Sequence, residues 1–272
     1  MRKPADRSPA RVARTAIIGD VHGMRQALAE LVAELALRAG DRLVLVGDLV
    51  DKGPDPAGVA HDLAILQAQA DFPVFLVEGN HEERHRRYRR NLAERPDVAR
   101  RQAQDAPELP ALTAELTPEA CAFLDAARLF HRLPEHGVMV VHGGIPGDMK
   151  RFPETAEAAS ALTGKARERF LKVIRTRYIE RETGYFLGLG KEQPGDPFWA
   201  DVYDGRFGHV VFGHNPFLDG PAEFAHATGI DTGAVHGGGL TALVLEAGAP
   251  RRYLAVPTPV HKPRSKSELY SD

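Results

Sequence analysis

The chain has a single cysteine, Cys121, in 272 residues, which excludes an internal disulfide and any site built on clustered thiolates. A reducing cytoplasm is the compartment this composition fits. No run approaches the ~20 consecutive apolar residues of a membrane-spanning helix. The opening "MRKPADRSPARVAR" is basic but lacks the apolar core of a secretory signal. Charge of one sign is lacking too: 35 Lys and Arg against 37 Asp and Glu give a net charge of −2. Nothing in that balance points to nucleic acid or an acidic membrane as partner, and no internal repeat is visible.

What is present is a series of short apolar runs that end in glycine or a polar residue. They are "TAII" before Gly19, "RLVLV" before Gly47, "VFLV" before Glu78, "VMVV" before His142 and "HVVF" before Gly213, followed by "LTALVLE" and "RRYLAV". The first of these are apolar throughout, as strands covered on both faces are. Between the first two, Leu28, Leu31, Val32 and Leu35 have helical spacing, with Gly40 as the expected stop. A second helix is expected after Pro56. Alternating strands and helices indicate an α/β fold. Residues 82–131, rich in Arg, Glu and Ala, show no strand pattern and read as a helical cap insertion, with "ERHRRYRRN" as a solvated helix face. Residues 150–200 read as mixed helix and loop. The expected organisation is a disordered basic arm over 1–13, one domain over 14–256 and a disordered tail over 257–272.

The strand ends carry the chemistry, because ligands on open α/β sheets bind outside the carboxyl ends of the strands. Five such ends read "GDVHG" (19–23), "GDLVDKG" (47–53), "EGNHEE" (78–83), "VHGG" (141–144) and "FGHN" (212–215). Any one of them is an ordinary polar turn; five in series are not. Carboxylates, imidazoles and an amide oxygen without thiolates suit Mn, Fe or Zn. Two divalent ions roughly 3.5–4 Å apart need a bridging ligand, which a carboxylate supplies, and such a pair activates water for in-line attack on phosphorus.

In "GDVHG", "GDLVDKG", "GNHE" and "HGG", in that order, the chain resembles the metallophosphoesterase superfamily, in the branch of the serine/threonine phosphoprotein phosphatases and the symmetrical diadenosine tetraphosphatases. The resemblance spans about residues 15–245, poorly in the helical middle. It implies an αββα sandwich of two mixed β-sheets flanked by helices. It also implies that Asp20, His22 and Asp48 hold one metal and that Asn80, His142 and His214, with the bridging Asp48, hold the second, manganese first among the candidates. A metal-bridging hydroxide would attack directly, and His81, hydrogen-bonded to Asp51, would protonate the leaving oxygen. Many superfamily members supply a further histidine in G-H-x-H. Here the stretch is "GHNP", as in the branch named.

Lys52 stands where the protein phosphatases usually carry arginine and, with Asn80, is the expected phosphate contact. Lysine binds phosphate as a point charge. Arg206, with Arg175 and Arg177, is a candidate second contact. "GIDTGAVHGGGLTALVLE" (229–246) and "HGGIP" lean toward the tetraphosphatases and "GNHE" toward the protein phosphatases; in the first of these stretches Asp231 could orient a ligand or loop. His226 and His236 could line the cleft, whereas His61, His85, His131, His136 and His209 read as structural, and Cys121 as a small core residue. The expected activity is hydrolysis of phosphomonoesters, possible substrates including phosphoserine and phosphothreonine proteins, nucleotides and small phosphorylated molecules. Cleavage of a dinucleoside polyphosphate is the alternative, and an inactive metal-binding scaffold the reading from another class. A nucleotide substrate calls for a pocket with aromatic or apolar walls, for which Tyr88, Tyr178, Tyr185, Phe186 and Trp199 are available, with the helical insertion as the discriminating region.

Overall fold

The computed structural model describes residues 13–261; the expected arm up to residue 12 and the tail from residue 262 lie outside the described residues. Every apolar run named above is a strand: β1 (Arg14–Ile18), β2 (Arg42–Leu45), β3 (Val74–Leu76), β5 (Val138–Val140), β6 (His209–Phe212), β9 (Gly239–Glu246) and β10 (Arg252–Pro257). They form two five-stranded mixed sheets, with orders β10-β9-β1-β2-β3 and β4-β5-β6-β8-β7, where β4 is His131–Leu133, β7 Ala222–Glu223 and β8 Ala227–Gly229. Within them β1-β2-β3 and β5-β6-β8 run parallel.

Strand side chains alternate between faces, which accounts for the continuous apolar runs. Ile17, Val44 and Val46 of the first sheet meet Val138, Val140 and Val211 of the second in a middle layer. Their neighbours Ala16, Ile18, Leu43 and Leu45 face outward onto Leu28, Leu31 and Leu35 of α1 (Arg25–Leu35) and Val59, Ala60 and Leu63 of α2 (Pro56–Gln69). On the other side Met139, Val141, Val210 and Phe212 face Phe170, Val173, Ile174 and Trp199. Helix, sheet, sheet, helix is therefore the layer order, as expected.

Helix α2 begins as read: Pro56 occupies its first turn and the Asp55 side chain caps the Gly58 amide at 2.8 Å. Helix α1 stops earlier than Gly40, because Ala36 already turns left-handed at φ 44°. The region 82–131 holds α3 (Asn80–Glu94), α4 (Pro96–Asp105), α5 (Glu108–Glu115) and α6 (Pro118–Asp125). It is less detached than a cap, since Leu112, Phe123 and Leu124 pack into the same cluster as α2.

Nor is "ERHRRYRRN" a solvated face. Glu83, His85, Tyr88 and Asn91 are buried, and four of its five arginines meet acids: Arg84 with Glu108 at 2.6 Å, Arg86 with Glu78 at 2.5 Å, Arg87 with Glu83 at 3.7 Å, and Arg89 with Asp125. The ordered chain also runs past 256: Thr258 donates to the Ala234 carbonyl at 2.5 Å and the His261 amide to that of Val235 at 3.0 Å. No helix among the described residues is long and apolar enough to cross a membrane.

Candidate metal centre and active site

The parallel strands β1, β2, β5 and β6 deliver their motif loops to one edge of the sandwich. Six non-glycine residues among those described have positive φ, and five are His22 (43°), Asp48 (50°), Asp51 (66°), Lys52 (63°) and His214 (68°). Left-handed backbone at such residues costs energy and persists where the surroundings over-determine it. Here it turns successive side chains of one loop toward a common point. Two glycines leave the room this requires: a Cβ on Gly79 would lie 2.2 Å from Asp48 Oδ1, and one on Gly213 would lie 1.9 Å from Asp20 Oδ1.

Asp48 belongs to two groups of converging ligand atoms, one with His22 and His81 and one with His142 and His214. In the second, His142 Nδ1 donates to the Val46 carbonyl at 3.0 Å, so Nε2 carries the lone pair whenever the ring is neutral. That nitrogen lies 3.2 Å from Asp48 Oδ1 and 3.2 Å from Asn80 Oδ1. Three acceptor atoms so close repel one another unless a positive charge sits among them. A proton on His142 supplies it in this arrangement: burial lowers its pKa, but Asp48 and Glu82 raise it to a net value above the ordinary 6.5.

In the first group His22 Nδ1 donates to the Val50 carbonyl at 3.0 Å, and its Nε2 faces Asp48 Oδ2 at 3.6 Å. Burial drives His22 down to about 3, so it stays neutral, and the Lys52 ammonium, 2.8 Å from Nε2, supplies the charge. His214 is likewise held neutral by burial and by His142 and Arg177. Its amide donates to both oxygens of Asp20 at 3.1 and 3.0 Å. Burial, Asp231 and Asp48 all raise the Asp20 pKa. Buried carboxylates and neutral imidazoles with inward lone pairs are the donor set of a divalent cation centre. The residues present therefore fit two cations sharing Asp48, and a cation in the first group would compete with Lys52 for His22.

Beside this centre His81 Nδ1 meets Asp51 Oδ2 at 2.6 Å, and its Nε2 lies 3.8 Å from Asp48 Oδ2. Burial favours neutral His81, yet Asp48 and Asp51 outweigh it and raise its pKa above 6.5. The pairing with Asp51 is thus formed. Two further residues of the site escaped the sequence reading. His85, assigned there to structure alone, is fully buried with Nε2 2.7 Å from Asp51 Oδ1, so Asp51 lies between two imidazoles. Its position four residues after His81, on the same helix face, was the available signal. Glu82 accepts from the amides of Asp48 (2.7 Å), Leu49 (2.8 Å) and Gly79 (3.0 Å), tying the β2 loop to the start of α3.

Of the residues expected to contact phosphate, Lys52 and Asn80 lie beside His22 and His142, whereas Arg206 lies elsewhere. Its guanidinium bonds Asp204 at 2.7 Å and the carbonyls of Gly147 and Met149, which occupies it in pinning two turns. Arg175 and Arg177 instead line a cavity of about 370 Å³ with Asn80, His81 and His214. Tyr178 and Phe186 form part of its wall, set there by a short hairpin in which Ile179 pairs with Phe186. Of the other aromatics weighed for a base pocket, Tyr88 and Trp199 are core and Tyr185 lies on a separate exposed surface. The cavity arises from this hairpin rather than from the helical insertion. Asp231 is buried facing Asp20 and holds the Gly233 amide at 3.0 Å; His226 packs on Gly205, and His236 is exposed.

A two-sheet sandwich with this ligand cluster at its strand ends defines a metal-dependent phosphoesterase. The chain belongs to the calcineurin-like phosphoesterase family (Metallophos), whose sequence model matches residues 13–237. It is 29% identical over 84% of its length, and 88% of the relative's, to an asymmetrical bis(5'-nucleosyl)-tetraphosphatase of Halalkalibacterium halodurans. It is 27% identical, covering 86% of this chain and 96% of the relative, to a symmetrical bis(5'-nucleosyl)-tetraphosphatase of Cellvibrio japonicus. A candidate diadenosine tetraphosphatase of known structure matches 92% of this chain and 96% of its own at 27% identity and a TM-score of 0.64. A serine/threonine phosphatase from Saccharomyces cerevisiae shares the fold, with 16% identity and a TM-score of 0.55 over 93% of this chain and 82% of its own. The protein is accordingly a hydrolase of phosphate esters or anhydrides.

Proposed function

We propose that this protein cleaves a phosphoanhydride bond of a dinucleoside polyphosphate, the second of the sequence readings rather than phosphomonoester hydrolysis. The observation that carries this is the cavity beside His81: a lining that combines Arg175 and Arg177 with Tyr178 and Phe186 suits a nucleotide, and phosphoryl chemistry alone would not require the aromatic wall. The kinship with both symmetrical and asymmetrical tetraphosphatases supports the same choice.

Asp20, His22 and Asp48 would hold one divalent cation, and Asp48, Asn80, His142 and His214 the other. Bound there, the cations would supply Lewis acidity toward phosphate oxygens and lower the pKa of water. The chain's own groups do the rest. Lys52, freed from His22, contacts the phosphate chain, and Arg175 and Arg177 neutralise it farther along. Protonated His81 delivers its proton from Nε2 to the departing phosphate oxygen while Asp51 holds Nδ1–H. A divalent-metal-loaded sample tested on diadenosine tetraphosphate, p-nitrophenyl phosphate and a phosphopeptide decides the matter. Turnover of the dinucleotide is expected, with ADP alone marking symmetrical cleavage and ATP plus AMP asymmetrical. Turnover of the monoesters without the dinucleotide would reject the reading.

A further inference from the structure

We propose that a second cavity, bounded by α3, α5 and the 51–56 loop, is a subsite for the other nucleoside of the same substrate, so that the two ends of one dinucleoside polyphosphate lie in the two cavities that meet at His81. The inference rests on the function proposed above and adds to it the place and the determinants of the second nucleoside.

This cavity has a volume of about 530 Å³ and shares with the Tyr178–Phe186 cavity one lining residue, His81. Its inner edge is Asp51, Lys52 and His81, and the Lys52 ammonium, 2.8 Å from His22 Nε2, fixes that edge beside the metal ligands. Pro54, Pro56, Pro107 and Leu112 give it an apolar wall. Glu108 and Glu115 of α5 also line it, as does Asp55, whose carboxylate is paired with Arg25 at 3.0 Å; the remaining cation, Arg84, is already paired with Glu108 at 2.6 Å.

That distribution selects a ligand chemistry. Phosphate is favoured at the Lys52 edge and repelled along α5, where carboxylates accept hydrogen bonds instead. The matching ligand is anionic where it meets Lys52, and uncharged, flat and rich in donors farther out: a nucleoside, with ribose hydroxyls and an exocyclic amine, joined through its 5′-phosphate. A second cavity of this volume suits a substrate with two bulky ends, and no step of the chemistry uses Pro107, Ala111 or Glu115.

The test narrows the cavity from α5, away from the reacting groups. Ala111 is exposed and lines it, so Ala111→Trp fills it without touching the core; Glu115→Trp fills it independently from the last turn of the helix. The readout is the ratio of kcat/KM for diadenosine tetraphosphate to that for p-nitrophenyl phosphate, in metal-loaded protein whose folding is checked by thermal melting. A fall in this ratio of about tenfold or more, carried by KM, is the expected result. A ratio within about twofold of wild type in the folded variants, with wild type cleaving the dinucleotide, overturns the subsite and leaves the function standing. Wild type that fails to cleave the dinucleotide overturns both. Loss confined to a lysine-rich phosphopeptide would assign the acidic wall to a basic peptide and also overturn it. Should Ala111→Trp fail to fold, Glu115→Trp decides.

Discussion

At the scale of single residues, Asp51 is the pivot of the proposed acid apparatus. It binds His81 at 2.6 Å and His85 at 2.7 Å, and the two imidazoles hold its carboxyl well below the usual carboxylate range despite its burial. His81→Asn is expected to lower kcat by about 10²–10⁴-fold for substrates with poor leaving groups and far less for p-nitrophenyl phosphate. Leaving-group dependence measured on a substrate series checks it, and an equal loss for all leaving groups would remove His81 from the acid role. His85 is fully buried behind Asp51 and would act by positioning. His85→Leu should cost kcat about tenfold, carried by the same poor leaving groups, with metal content unchanged. A uniform loss accompanied by lost metal would instead mark a purely structural role.

Elements set the geometry that these residues exploit. Helix α3 starts at Asn80, and its Glu82 carboxylate accepts from the amides of Asp48, Leu49 and Gly79. One side chain thereby fixes the Asp48 loop against the helix that carries Asn80 and His81. A carboxylate can accept all three bonds, whereas an amide oxygen alone must serve in Glu82→Gln. That variant should lose about 1–3 kcal/mol of stability, because a buried donor is left with a poorer partner, and should bind manganese more weakly. Denaturant unfolding and metal titration measure the two losses; unaltered metal affinity would mean that Glu82 only caps the helix.

For the whole molecule, two consequences follow from a centre and a core shared by both sheets. Asp48 follows β2 of one sheet, while His142 and His214 follow β5 and β6 of the other, so cations bound there join the sheets. Chelation should abolish turnover. Manganese at about 100 times its Kd should restore activity and stabilise the fold by about 2.7 kcal/mol, since the unfolded chain lacks the site. A midpoint of melting indifferent to metal would contradict this. The second consequence concerns the sheets' edges, where His131 of β4 stacks on Phe75 of β3 with ring centroids 4.3 Å apart. Burial, reinforced by Arg42 and Arg128, lowers His131 from 6.5 to about 4. The folded state then binds fewer protons than the unfolded one between those values, so stability is full above pH 6.5 and is lost as pH falls toward 4. The loss should be on the order of 2 kcal/mol and should flatten in His131→Phe, as urea midpoints from pH 7 to 4 would record.

Local pattern carried much of this protein into view. The inner apolar runs are strands because their residues are covered on both sides, whereas "RRYLAV" is a largely exposed edge strand held by its pairing with β9; the five polar strand ends converge because parallel strands present their carboxyl ends together. Shorter pieces were not legible: β4, "HRL", is three residues on a sheet edge, and β8, "ATG", is central but without a large apolar side chain. Tertiary structure alone decided which arginines face the site. Arg175 and Arg206 are the same residue type, and only packing places one, paired with Glu83 at 2.8 Å, on the cavity beside His81 and the other on Asp204. It alone made His85 a partner of Asp51, and it placed the aromatic wall in the 178–187 hairpin rather than in the helical insertion. The sequence by itself determined which atoms can bind metal and phosphate, since that is a property of residue type and strand-end spacing. What surrounds those atoms, and hence what substrate fits, depends on contacts between segments far apart in the chain, which spacing does not encode.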